Sequence, residues 1–211
     1  MTDPVLGVMR ASRVIPVVTL AEPAATRPLV SALLEGGLRA IEITLRTPAG
    51  LEAIRIAAAG GDVLVGAGTV TTATHAEAAI EAGARFLVAP GLVEEVIAVA
   101  ARHDVLMLPG IATPTELLRA LALGCRTVKF FPASVAGGRP MVRALAGLAT
   151  GAGFVPTGGI DIASAPLYLA IPEVVAVGGS WMVPSDRVGA RDWDAIRVLA
   201  TACAGLRSTE G

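Results

Sequence analysis

The run Ala40-Ile41-Glu42-Ile43-Thr44-Leu45 leads through Arg46-Thr47-Pro48 into a stretch, Pro48–Ala58, built mostly of Ala, Leu, Ile, Glu and Arg, and a second apolar run, Val63–Gly68, follows. A short β-branched run, a segment of helical length and another short run make one βα unit. The pattern recurs outward in both directions. Candidate strands are Val14–Leu20, Ala40–Leu45, Val63–Gly68, Phe86–Ala89, Val105–Leu108, Thr127–Phe131, Phe154–Thr157 and Val174–Val177, with starts about 19 to 27 residues apart. Helix signatures are Pro23–Leu34, Pro48–Ala58, Thr72–Ala82, Val93–Arg102, Pro114–Leu123, Pro140–Leu148, Ala163–Leu169 and Asp192–Ala204. Thr47-Pro48 and Thr113-Pro114 are helix starts, while Gly36, Gly83 and Gly124 are helix stops. A short extra helix is expected ahead of the first strand. Such alternation fits a closed barrel or an open doubly wound sheet. The units are even and no strand is followed by a G-x-G-x-x-G turn, so the expected fold is α/β, a single (β/α)8 TIM barrel over residues 1–211. Its chemistry would collect at the C-terminal ends of the strands.

Composition narrows the function classes. Among 211 residues stand 16 arginines and one lysine, Lys129, against 18 acidic residues, for a formal net charge of −1. No basic patch is available to neutralise nucleic-acid phosphates, so no nucleic-acid partner is expected. Hydrophobic residues make up 54%, yet 40 residues are alanine and only 3% are aromatic, a composition of small interdigitating packing. No apolar run reaches the roughly 18 residues of a membrane span, and the opening MTDPVLGVMR has no signal-peptide pattern. A cytoplasmic protein without a membrane partner is expected. Cys125 and Cys203 are too few for a disulfide or metal framework.

The second and sixth strands carry charge where a barrel strand should not. Side chains alternate across a strand, so Glu42, Thr44 and Arg46 share one face, while Ile41, Ile43 and Leu45 share the other. With the apolar set against the helices, the polar set must point inward, where unpartnered polar groups cost several kcal/mol. An internal ion pair that only supports the barrel would account for it equally well. In the sixth strand Thr127, Lys129 and Phe131 share a face, opposite Val128 and Phe130. A chain that otherwise uses only arginine for positive charge has placed lysine in mid-strand. Arginine stays protonated, whereas a desolvated lysine can release its proton and attack a carbonyl. Lys129 is therefore a candidate Schiff-base nucleophile.

Glycine motifs mark further strand ends. Gly66-Ala67-Gly68-Thr69-Val70 closes the third, Pro90-Gly91 the fourth, Thr157-Gly158-Gly159 the seventh and Gly178-Gly179-Ser180 the eighth. Gly-Gly pairs after the last two strands are where barrels of this kind hold phosphate. His75 and His103 fall in helical segments and read as surface residues. No His, Asp or Glu cluster has metal-ligand spacing, so a reaction with no metal and no cofactor is expected. Cys125 lies at the wrong end of its strand for catalysis, and Trp181 either packs under a loop or lines the pocket.

Five segments occur in one order: Glu42-Ile-Thr-Leu-Arg46-Thr47, Gly66-Ala-Gly-Thr69-Val70, Val128-Lys129-Phe-Phe-Pro-Ala133, Pro156-Thr157-Gly-Gly-Ile160 and Gly178-Gly-Ser-Trp181. From Val14 through Pro184 the chain resembles the class I 2-keto-3-deoxy-6-phosphogluconate (KDPG) and 4-hydroxy-2-oxoglutarate aldolases. The resemblance implies a (β/α)8 barrel, a homotrimer, no metal, and a small keto acid as substrate. It makes Lys129 the Schiff-base nucleophile and Glu42 the general acid/base. Arg46 would bind the pyruvate carboxylate, with Thr69 near the keto acid, Pro90 and Phe131 as apolar walls and Thr157 on the substrate. Gly158, Gly159, Gly179 and Ser180 would hold the distal phosphate. Some members carry an arginine near the end of the first strand; here that stretch reads Val17-Val18-Thr19-Leu20, with Arg13 on the wrong side of it. Thr157 leans towards the gluconate over the galactonate substrate. Alternatives are an aldolase acting mainly on unphosphorylated 4-hydroxy-2-oxoglutarate, a phosphate-binding isomerase or decarboxylase, and a non-catalytic sugar-phosphate binder.

Overall fold

Asp3 accepts the backbone N–H of Val5 at 2.8 Å, and Pro4 occupies the first helical turn, so the chain enters α1 (Pro4–Ser12) with its orphan donors satisfied. The computed structural model describes residues 3–148 and 151–206. After α1 come β1 (Val14–Val18), a 3-10 turn at Pro23–Ala25, α2 (Thr26–Glu35), β2 (Ala40–Thr44), α3 (Gly50–Gly60) and β3 (Leu64–Gly68). Then follow α4 (Ala73–Glu81), β4 (Phe86–Val88), α5 (Glu94–Arg102), β5 (Leu106–Leu108), β6 (Gly110–Ile111), α6 (Pro114–Ala122) and β7 (Thr127–Phe130). The chain closes with α7 (Gly138–Leu148), β8 (Gly153–Pro156), α8 (Ala165–Leu169), β9 (Val177–Gly179), α9 (Ser185–Gly189) and α10 (Trp193–Ala204). Thr113 and Glu116 form a reciprocal capping box at the start of α6.

All strand pairs are parallel, as helical crossovers require. A six-stranded sheet runs β5-β4-β3-β2-β1-β9 and a three-stranded sheet runs β6-β7-β8. Two seams connect them. At one, Pro109 separates β5 from β6, since proline has no N–H for the ladder; its carbonyl still accepts from Lys129 N at 2.9 Å. The expected fifth strand, Val105–Leu108, thus continues past Pro109 as a second segment. At the other seam the expected eighth strand is displaced. Val174 bridges only to Phe154, and Val175 N donates to the Phe154 carbonyl. The pairing with β1 passes to Val177, Gly178 and Gly179. The second Gly-Gly pair therefore lies within a strand rather than in the turn after it. Bare glycine is needed there because a Cβ on Gly178 would collide with Thr157 Oγ1. Helix α9, after this strand, has too few residues for its apolar spacing to stand out in the sequence.

The alternation read from β2 and β7 decides which residues go where. Ile41, Ile43, Val128 and Phe130 join the core between sheets and helices. A second cluster, formed by Ile15, Phe86, Val88, Leu108, Val155, Val175 and Ala176 with Val5 and Met9 of α1, fills the inner side of the strands. Phe86 is fully buried there and lies over Gly66, whose hydrogen leaves room for the ring. Truncating a packed phenylalanine costs about 3–5 kcal/mol. Phe86→Ala is expected to lower unfolding free energy by that amount in urea titration; a loss under about 1 kcal/mol would contradict this packing.

Candidate active site

Register places the charged residues together. Val17 is opposite Glu42 on β1 and β2, Glu42 is opposite Gly66 on β2 and β3, and Gly110 is opposite Lys129 on β6 and β7. Glu42 and Lys129 reach across the interior to each other, with Lys129 Nζ 3.5 Å from Glu42 Oε1. They are 4% and 6% exposed. Lys129 Nζ also stands 5.0 Å from the centroid of the Phe131 ring, so the aromatic face supplies a second favourable contact for the cation. Desolvating two charges costs several kcal/mol per ion, and a well-packed apolar pair of similar volume is often as stable or more so. Support of the fold alone is a weak reason for this pair.

The pair is backed by glycine. A Cβ on Gly68 would collide with Glu42 Oε1 and stand 2.7 Å from its Cγ. The Gly66-Ala67-Gly68 segment thus makes room for Phe86 at one glycine and for the Glu42 carboxylate at the other. Beyond β2, Arg46 Nε donates to Thr69 Oγ1 at 3.2 Å. Thr69 has φ +59°, a left-handed conformation that a β-branched residue rarely adopts. Its hydroxyl holds the arginine at one nitrogen.

These residues meet in a cavity of about 370 Å³ at the C-terminal ends of the strands. Of the residues expected at a site, Glu42, Arg46, Lys129, Phe131, Thr157, Gly158, Gly159, Gly179 and Ser180 line it. Thr69 and Pro90 do not; Thr69 stands behind Arg46, and Pro90 packs its backbone against Gly110. Gly158 and Gly159 have φ of +99° and +71°, so the chain turns there as only glycine does at low cost. The Thr157 hydroxyl is buried and donates weakly to the Val155 carbonyl at 3.4 Å. Sequence reasoning did not single out Val17, Val18, Thr19, Ile160, Val183, Ser185 and Val188, which line the same cavity. Thr19 was legible as the last polar residue of the first strand; the valines resemble any core position.

Other candidates lie apart. Trp181 packs its ring against Gly179 rather than lining the cavity, and its buried indole N–H has no hydrogen-bond partner among the described residues. Burial pushes the Cys203 thiol up to about 11. Cys125, pushed up to about 11 by burial, lines a separate apolar cavity of about 470 Å³ with Leu6, Met107 and Arg126. His103 pairs with Glu77 at 2.6 Å on the surface. Among the described residues no group of three or more His, Cys, Asp or Glu side chains could hold a metal ion, and no helix is long and apolar enough to cross a membrane.

A buried lysine beside a carboxylate, in a cavity at the C-terminal ends of parallel strands, is the arrangement of enzymes that form imines with carbonyl substrates. A family model described as "Aldolase: KDPG and KHG aldolase" matches residues 5–199. The 2-dehydro-3-deoxy-phosphogluconate aldolase of Treponema pallidum is 48% identical over 89% of this chain and 90% of its own. The KHG/KDPG aldolase of Escherichia coli K12 is 39% identical over 92% of each chain. A solved KDPG aldolase from Legionella pneumophila, with pyruvate captured as a covalent carbinolamine, superposes with a TM-score of 0.91 at 39% identity, covering 95% of this chain and 98% of the other. The chain belongs to the KDPG and KHG aldolase family, an α/β fold of the TIM-barrel type.

The fit between Gly68 and the Glu42 carboxylate is directly testable. Overpacking an interior position costs about 1–3 kcal/mol, so Gly68→Ala is expected to lower the melting temperature. Its crystal structure is expected to show the Glu42 carboxylate displaced more than 4 Å from Lys129 Nζ; an unmoved carboxylate would contradict the account.

Proposed function

We propose that this chain is a class I aldolase that cleaves KDPG to pyruvate and glyceraldehyde 3-phosphate, and 4-hydroxy-2-oxoglutarate to pyruvate and glyoxylate. The observation that carries the reading is the buried Lys129–Glu42 pair at the base of the cavity. Lys129 first gives its proton to Glu42, and the freed amine attacks the C2 ketone to form a carbinolamine. Its hydroxyl leaves as water with the proton returned by Glu42, giving an iminium and restoring the carboxylate. Glu42, directly or through a water, takes the C4 hydroxyl proton. The C3–C4 bond breaks, its electrons enter the iminium as an enamine, and the aldehyde leaves. Protonation at C3 and hydrolysis of the imine release pyruvate and restore the lysine. The iminium is the electron sink, so neither a metal nor a cofactor is required.

The remaining roles follow from placement. The Arg46 guanidinium presents a planar fork to the substrate carboxylate, and Thr69 steadies it. Phe131 forms an apolar wall and Thr157 contacts the substrate beside it. Gly158, Gly159, Gly179 and Ser180, at the ends of β8 and β9, hold the distal phosphate. No arginine joins them from β1. Pro90 acts at one remove, through Gly110 and the strand that neighbours Lys129.

The whole chain acts as one domain, a closed eight-stranded barrel behind α1. The Pro109 carbonyl and the Phe154–Val174 and Thr157–Gly178 bridges support this closure. The working assembly is a homotrimer in the cytoplasm. Exposed Leu118, Leu148 and Leu167 offer apolar surface for its contacts.

The test is the release of pyruvate, followed by coupled reduction to lactate. The wild type is expected to turn over both substrates. Lys129→Arg is expected to abolish turnover, and Glu42→Gln to lower kcat by about 10² or more, the usual value of a general acid/base. Ser180→Ala is expected to raise KM for KDPG and leave KM for 4-hydroxy-2-oxoglutarate unchanged. Full turnover by Lys129→Arg would rule out the mechanism.

A further inference from the structure

The register that pairs Val17 with Glu42 and Val18 with Ile43 sets Thr19 opposite Thr44 at the C-terminal rim of β1 and β2. Their hydroxyl oxygens are 2.7 Å apart. The two hydroxyls differ in surroundings. Thr44 is 1% exposed, and Thr19 Oγ1 is its hydrogen-bond partner. Thr19 is exposed and lines the cavity that holds Glu42, Arg46 and Lys129.

Burial bears on the direction of the bond. Were Thr19 the donor, the proton of the buried Thr44 hydroxyl would have no other hydrogen-bond acceptor among the described residues, which costs the desolvation of a hydroxyl. Burial thus favours the arrangement in which Thr44 donates and Thr19 accepts. The proton of Thr19 is then free to point into the cavity, and accepting one hydrogen bond makes it a better donor for the next.

Position identifies what receives it. On the inner circuit β1 lies between β2, which carries Glu42, and β9, which ends in Gly179 and Ser180. If Glu42 serves the C4 hydroxyl and the glycines hold the 6-phosphate, as proposed above, the group between them is the C5 hydroxyl. We infer that Thr19, oriented by Thr44, is a specificity-determining residue that donates to the C5 hydroxyl of the phosphorylated substrate. It gives the first strand a role in reading the substrate without a charged side chain. The inference rests on the proposed function for the orientation of the substrate.

The experiment compares two substrates: KDPG and its 5-deoxy analogue, made as the aldol of pyruvate and 3-oxopropyl phosphate. The readout is the ratio of their kcat/KM values. In Thr19→Val, an isostere without the hydroxyl, this preference for the hydroxylated substrate is expected to fall by about 3- to 10-fold, the value of one neutral hydrogen bond. Thr19→Ser is expected to keep it. Thr19→Ala, which opens space for water to take the Thr44 proton, reads the same ratio should the valine variant fold poorly. A wild-type ratio in both Thr19→Val and Thr19→Ala, or loss of the ratio in Thr19→Ser, would overturn the assignment. The parent reading is judged separately: it fails if the wild type releases no pyruvate from KDPG.

Discussion

A lysine ammonium and a glutamate carboxylate, 3.5 Å apart inside a ring of parallel strands, set the terms for the rest of the molecule. Each charge alone would be too costly to bury, and the pair is tolerated only because strand alternation aims both side chains at one another. The outer faces of the same strands carry Ile41, Ile43, Val128 and Phe130, which anchor β2 and β7 against the helices. Packing on one face thus fixes the position of chemistry on the other. Glycines complete the arrangement: Gly68 yields space to the carboxylate, Gly66 to Phe86, and Gly178 to Thr157.

Electrostatics divides the cavity in a way that suits an anionic keto acid. Lys129 and Arg46 outweigh Glu42, so a carboxylate or phosphate enters a net positive site, and the backbone at Gly158 and Gly159 adds oriented dipoles. The wall from β1 is instead Val17, Val18 and Thr19. That wall is apolar apart from the Thr19 hydroxyl. Thr44 stands behind this hydroxyl much as Thr69 stands behind Arg46.

Much of this was legible in the sequence. Period-two alternation in Ile41–Arg46 and Thr127–Phe131 identified inward charge, because a strand allows only two directions for a side chain. The lone lysine among 16 arginines marked the nucleophile candidate by residue type. What the sequence did not show has physical causes. Val174–Val177 reads as a strand by composition, yet the pairing with β1 begins only at Val177 and continues through Gly178 and Gly179, whose lack of a side chain hides them from hydrophobic pattern. The expected fifth strand stops before Pro109, and the two-residue continuation Gly110–Ile111 is too short to show as a pattern. Thr69 and Pro90 stand beside Arg46 and Gly110 rather than in the cavity lining, a placement that needs three dimensions. Thr19 was visible as a polar strand end, but its meaning depends on the register that sets it opposite Thr44.

The central claim is that Lys129 becomes covalently bonded to the substrate's carbonyl carbon, and one lysine in the chain makes it unusually testable. The protein is incubated with pyruvate, reduced with borohydride, digested and weighed. The account predicts one N-carboxyethyl adduct, on the peptide containing Lys129, absent when borohydride or pyruvate is omitted. Absence of any adduct, or one confined to the N-terminal amine, would contradict it.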